Sequence, residues 1–128
     1  MDADIVLPNL KIKPTNNTNL VKIVSNLKNE VLYISRANIP YEFKNKVKHL
    51  KKHLSIISFK PSALINYGKS KISELEKIED VELLRAIDIG LKIKTIDLAG
   101  DSFSIDVFED YSKAQVQIKR DKYFKLYK

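Results

Sequence analysis

The chain has no cysteine and no tryptophan, and only two histidines, three glycines and four prolines in 128 residues. Without cysteine there is no disulfide framework, no thiolate-held zinc or iron–sulfur cluster and no thiol nucleophile. Two histidines leave little for a histidine-rich metal centre, so a metal would have to be held by oxygen. The glycines, at 68, 90 and 100, lie too far apart for a GxGxxG or Walker phosphate loop. No apolar run approaches the roughly 18 residues of a membrane span, and the opening MDADIVLPNLKIK has neither the basic nor the apolar stretch of a secretion signal. A soluble, cytoplasmic protein with no membrane partner is the expectation.

What is present suits one folded domain, with 44% hydrophobic and 30% charged residues. The net charge of +7 is unevenly laid out. Glu42 to Lys60 holds six lysines and one acid, and Lys113 to Lys128 six basic residues and Asp121, each a net +5. Between Glu74 and Asp110 eleven acids face Lys77, Arg85, Lys92 and Lys94, a net −7. Such a bipolar chain is a poor candidate for a plain nucleic-acid binder, and the basic runs read as a solvated helix face and a tail.

Local signals divide the chain into alternating strands and helices. Leu20–Ser25 and Glu30–Arg36 are β-rich runs around an Asn-containing turn, hence a hairpin. Pro40 stops the second strand. Phe43, Val47 and Leu50 recur at helical spacing, and His53–Phe59, apolar on both phases, reads as a buried central strand. Pro61 opens a helix that Gly68 ends, one or two helices lie between Ser73 and Ile89, and Leu91–Leu98 alternates as a strand. After a brief β-like run at Phe103–Ile105, Asp106 with Glu109 three residues on has the spacing of a capping box opening a last helix from Val107. The first nineteen residues read as irregular, residues 20–114 as the folded body, and 115–128 as a basic helix or tail. The order β-β-α-β-α-α-β-β-α indicates an α/β architecture.

Four places carry candidate chemistry, each with a plainer reading beside it. Asp106, between a short strand and a helix, is placed where open α/β sheets put ligands, and it is equally a helix cap worth about 1 kcal/mol. Arg36 closes an apolar strand, either as a bidentate clamp for a carboxylate or phosphate or as a surface arginine. Glu76, Glu79, Glu82 and Arg85, spaced by three, form a slowly rotating helix face that needs no function. His53 opens the expected buried strand, a place where a lone histidine is usually structural, and His49 among the lysines has no assigned role.

Taken in order, these segments resemble the 3-deoxy-manno-octulosonate (KDO) cytidylyltransferases, or CMP-KDO synthetases. Val21-Lys22-Ile23-Val24, Leu32-Tyr33-Ile34-Ser35-Arg36 and Ile39-Pro40-Tyr41 are similar to that family's "VKVV…LYFSR..IPY". His53-Leu54-Ser55-Ile56 with Phe59 is similar to "HIGIYAF", and Leu75-Glu76 through Glu79, Glu82 and Arg85 to Gly90 to "LE..E.LEQLR.LE.G". Ser104-Ile105-Asp106 with Glu109-Asp110 is similar to "GVDTPEDL".

The resemblance covers Leu20 to Ala114 and implies part of a nucleotide-diphospho-sugar transferase fold, GT-A-like and Rossmann-like. The activity it implies is transfer of CMP from CTP to the anomeric hydroxyl of KDO, a lipopolysaccharide or capsule precursor, with release of pyrophosphate. It makes Asp106 one of two Mg2+ ligands, Arg36, His53 and Glu82 the lining of the sugar-acid site, and the protein a homodimer. The family's "IPARxxSxRLPxKxL" loop, which grips the triphosphate, and its "QGDEP", which supplies the other Mg2+ ligand, are not found. Asp2 and Asp4 in MDADIV are similar to the start of "DADIVVNVQGDEP", but the likeness fails by Leu10. Ile57 and Leu83 stand where the family has Tyr and Gln, removing two polar groups from the expected pocket.

The expectation is therefore the C-terminal, sugar-binding and dimer-forming half of such an enzyme, lacking the N-terminal nucleotide-binding portion and inactive in isolation. Two rivals stand beside it: a non-catalytic remnant acting as a dimerisation or partner-binding module, and a basic nucleic-acid module, which the missing aromatic platform disfavours.

Overall fold

The structure, a computed structural model, describes residues 2–127; Met1 and Lys128, the last residue of the expected basic tail, lie outside the described residues. It contains six strands, β1 (Ile5–Ile12), β2 (Lys22–Ser25), β3 (Val31–Ser35), β4 (Leu50–His53), β5 (Ser58–Phe59) and β6 (Ile93–Leu98). The helices are α1 (Pro61–Lys69), α2 (Glu74–Glu79), α3 (Leu83–Asp88) and α4 (Phe108–Gln117), followed by short 3-10 turns at Ile118–Arg120 and Phe124–Tyr127.

The centre of the sheet is β1, inside the segment expected to be irregular. It runs parallel to β6, from Ile5 opposite Ile93 to Leu10 opposite Leu98. Along its other edge it pairs antiparallel with β4, Asn9 opposite His53, and with β5, Val6 opposite Ser58. Ile5 and Leu7 alternate into the core at 0% exposure. Pro8 interrupts the pattern with a residue that has no N–H to give, which is why the segment does not read as a central strand.

The same proline explains a second correction. The buried strand expected over His53–Phe59 is broken, because residues 54–57 bulge out where Leu7 and Pro8 stand between the two pairings. The Leu54 N–H reaches the Pro8 carbonyl at 3.1 Å, and Ile56 is left 66% exposed.

The β2–β3 hairpin forms where expected. Its turn is closed by the Asn26 side chain, whose Oδ1 accepts from the Lys28 and Glu30 N–H groups, each at 2.9 Å, while Asn29 takes a left-handed φ of 59°. The helix expected over Phe43–Leu50 is absent. The Glu42 carboxylate accepts the Val47 N–H at 2.8 Å in an irregular loop, Leu50 is drawn into β4 opposite Ile12, and Phe43 is 91% exposed. Tertiary pairing wins here because a short helix with one narrow stripe buries less than a strand inserted between β1 and β2.

Pro61 starts α1, which continues through Gly68 to Lys69. Ser73 and Glu76 form a capping box that opens α2. Asp80, at a left-handed φ of 51°, ends α2 and turns the chain into α3; Gly90 follows α3 at φ 77°, a conformation that favours glycine. Phe103–Ile105 forms no strand, and the boundary expected at residue 115 falls inside α4. Asp106 does not cap α4: Val107 holds that position without a side-chain cap, and the Asp106 N–H instead points to the Asp110 carboxylate at 3.4 Å.

Ile5, Leu7, Ile23, Ile34 and Ile93 from the sheet pack with Val81, Leu83, Leu84 and Ala86. Each large aliphatic side chain buried there contributes about 1.5–3 kcal/mol. Leu7→Ala should therefore cost about 2–5 kcal/mol by urea denaturation, whereas Leu27→Ala, on the exposed hairpin turn, should change little. A loss of under about 0.5 kcal/mol for Leu7→Ala would remove β1 from the core.

Candidate functional site

The breaks in the sheet open a cleft of about 250 Å3 whose lining includes Arg36, Lys52, His53, Ile57, Glu82, Leu83, Ser104 and Asp106. Arg36 follows β3, His53 ends β4, Glu82 precedes α3, and Asp106 lies on the irregular segment before α4. The four residues singled out in the sequence thus reach one cleft from four parts of the chain. A wider, flatter hollow of about 820 Å3 runs beside α4 between Asp101 and Lys122, and none of the four lines it.

Arg36 is held more tightly than a surface arginine. Its Nε donates to the Glu79 carbonyl at 2.8 Å, Nη1 to the Thr18 carbonyl at 3.1 Å and Nη2 to the Asp80 carbonyl at 2.9 Å. The Glu79 carboxylate in turn accepts from the Ser35 hydroxyl at 2.6 Å and the Arg36 N–H at 2.9 Å. The Lys22 ammonium, 1% exposed, donates to the Arg36 carbonyl and to that of Asn17, and burial pushes its pKa down, aided by the nearby guanidinium. This knot fixes the end of β3 to the end of α2. The guanidinium fork is largely engaged by backbone carbonyls, which limits it as a bidentate clamp.

The Glu/Arg series divides among tasks because Asp80 interrupts the helix. Glu76 completes the capping box and pairs with Arg85 at 2.9 Å; Arg85 also donates to the Tyr67 hydroxyl at 2.7 Å and lies 4.2 Å from that ring's centre. Glu79 serves the Arg36 knot, and Glu82 is exposed in the cleft.

His53 is set by its backbone N–H, which donates to the Val21 carbonyl at 2.8 Å. Burial holds its imidazole below the ordinary 6.5, with the Glu82 charge pulling the other way. Lys52, read in the sequence as part of a solvated basic run, is 6% exposed and faces the cleft. Its Nζ donates to the Ser102 carbonyl at 2.7 Å; burial pushes its pKa down and the Asp106 charge pushes it back up. Strand alternation from Leu50 is the signal that separates Lys51 from Lys52, since Leu50 and Lys52 fall on the buried face and Lys51 on the other. Ile57 and Leu83 form an apolar part of the wall, and Leu83 is also part of the core.

The donor set does not amount to a divalent-cation site by itself. Among the described residues no group of three His, Cys, Asp or Glu side chains converges, and the charge acting on Lys52 is that of Asp106. An ion such as Mg2+ would find at Asp106 fewer than three converging side-chain ligands, with the Lys52 ammonium nearby.

The class defined by the mixed α/β sheet is a partial nucleotidyltransferase fold. A CMP:2-keto-3-deoxy-manno-octonic acid synthetase solved with CTP superposes with a TM-score of 0.84 and 25% identity, over 93% of this chain and 50% of that one. The cytidylyltransferase family model matches residues 6–93, and the chain belongs to that family. It is 32% identical over 125 residues to a 3-deoxy-manno-octulosonate cytidylyltransferase of Fusobacterium nucleatum, covering 94% of this chain and 51% of the relative. It is 33% identical over 106 residues to an 8-amino-3,8-dideoxy-manno-octulosonate cytidylyltransferase of Shewanella halifaxensis, covering 83% and 43%. The chain spans about half the length of the curated relatives it matches. Among the described residues no helix is long and apolar enough to cross a membrane.

The His53 shift has a sign that can be measured. The unfolded chain takes up this proton more readily than the folded one, so the contribution is fully present above pH 6.5 and is lost as pH falls below it. His53→Gln should flatten the fall in thermal midpoint between about pH 7 and pH 5 relative to the parent. Parallel curves would show that His53 is not held neutral.

Proposed function

We propose that this chain is the sugar-acid-binding half of a cytidylyltransferase of the 3-deoxy-manno-octulosonate type, and that it turns over only when the missing half is supplied. The observation that carries this is the convergence of Arg36, His53, Glu82 and Asp106 on one cleft. The reaction in view joins the anomeric oxygen of the sugar acid to the α-phosphorus of CTP and releases pyrophosphate. In that reaction His53 and Glu82 hydrogen-bond sugar hydroxyls and so orient the attacking oxygen. The remaining donor capacity of Arg36 favours the sugar's carboxylate. Asp106 lines the same cleft and would offer one carboxylate to a metal ion on the nucleotide, the rest of whose hold would come from the missing half.

The apolar wall of Ile57 and Leu83 leaves one side of the cleft without hydrogen-bond partners, which weakens the hold on 3-deoxy-manno-octulosonate, because an unpartnered buried hydroxyl costs about 1–3 kcal/mol. We also propose a homodimer through the hairpin and the segment after it, where Leu32, Tyr41 and Phe43 are 56%, 83% and 91% exposed. Arg36's engagement by carbonyls favours one rival, a non-catalytic module that keeps only the dimerising surface.

A pyrophosphate-release assay separates these readings. With CTP, Mg2+ and 3-deoxy-manno-octulosonate the chain alone should show no turnover. Addition of a polypeptide carrying the remaining half of a relative should restore it, and Asp106→Asn should then reduce the restored rate at least about a hundredfold. Turnover by the chain alone would overturn the half-enzyme reading. No restoration together with no sugar binding would favour the non-catalytic module.

A further inference from the structure

Residues 99–107 join β6 to α4 without regular structure and carry Ser104 and Asp106 to the cleft. Little holds them there. Helix α4, which follows, has no buried residue, and Ser102, Ser104, Ile105 and Asp106 are all exposed. Among the described residues one hydrogen bond ties this segment to the sheet, from Lys52 Nζ to the Ser102 carbonyl at 2.7 Å. The segment's other side-chain hydrogen bonds stay within the C-terminal region, from Gln117 to Asp101 and from the Asp106 N–H to Asp110.

Lys52 is an expensive way to make one bond. It stands on β4 opposite Leu10 of β1 and Lys22 of β2, and Lys22 is itself buried and charged, with two carbonyls of its own. Each ammonium loses hydration there. Methionine, of similar length, would fill the place of Lys52 without that cost. Packing therefore does not account for a lysine here. What distinguishes it is its reach: the side chain leaves the sheet, borders the cleft, and grips the backbone four residues before Asp106.

We propose that Lys52 is a positioning residue, whose buried ammonium holds the Ser102 carbonyl and thereby sets where the Asp106 carboxylate stands relative to His53 and Glu82. Its grip and its charge act together, since the same ammonium that anchors the segment attracts the carboxylate the segment carries. The importance of that placement for ligand rests on the functional reading above; the anchoring itself does not.

Amide nitrogen relaxation on the intact chain tests the anchor. In Lys52→Met the backbone order parameters of Phe103 to Asp106 should fall by at least about 0.2, with β1 and β6 unchanged, and Lys52→Arg should restore them. Unchanged order parameters in Lys52→Met would overturn the proposal. Should Lys52→Met fail to fold, Lys52→Leu, which likewise has no donor, carries the same comparison and the same two outcomes. The restored pyrophosphate-release assay tests the coupling: Lys52→Met should lower the rate, and the double variant with Asp106→Asn should be no slower than Asp106→Asn alone. Fully multiplicative losses would show that Lys52 acts independently of Asp106 and overturn the proposal. If no turnover is restored to the parent chain, the functional reading falls, while the relaxation comparison still decides Lys52.

Discussion

A proline in the middle of the central strand shapes both the sheet and the cleft. β1 is flanked by β6 on one edge and by β4 and β5 on the other, and Pro8 has no N–H to offer either ladder. Opposite it the antiparallel partner breaks into two pieces, so β4 ends at His53 and residues 54–57 leave the sheet. That break is where the cleft opens, and it supplies His53 at one side and Ile57 at another.

Elements with local signatures were legible in the sequence. The hairpin, the proline-started α1, the capped α2 and the alternating β6 each carry their signal within a dozen residues, and each forms. The elements that misled are those decided by distant partners. β1 looks irregular because Pro8 and Asn9 interrupt its apolar alternation, yet Asn9 is fully buried, donating to the Thr95 hydroxyl at 2.8 Å and to Asp97 at 3.0 Å. The stripe of Phe43, Val47 and Leu50 has helical spacing, but Leu50 is claimed by the gap between β1 and β2.

The cleft was legible in a different sense. Position by position, Arg36, His53, Glu82 and Asp106 had plain structural readings; their order along the chain and likeness to a known set singled them out, and the fold brings them to one place. What the order could not convey is how each side chain is engaged. Arg36 is knotted to backbone carbonyls by contacts up to 44 residues away in the chain, and Lys52 is hidden among lysines that face solvent. The net charge was similarly opaque, because Lys22 and Lys52 are buried in the sheet while Lys44, Lys46 and Lys48 are exposed on the loop before β4.

Amide chemical-shift mapping on the intact chain, with 3-deoxy-manno-octulosonate added, tests most directly the proposal that the cleft is one binding site for a sugar acid. The account predicts that the amides of Arg36, His53, Glu82 and Asp106 shift together along one saturation curve while those beside the hollow along α4 stay still. Shifts confined to that hollow, or separate saturation curves for the four, would contradict it.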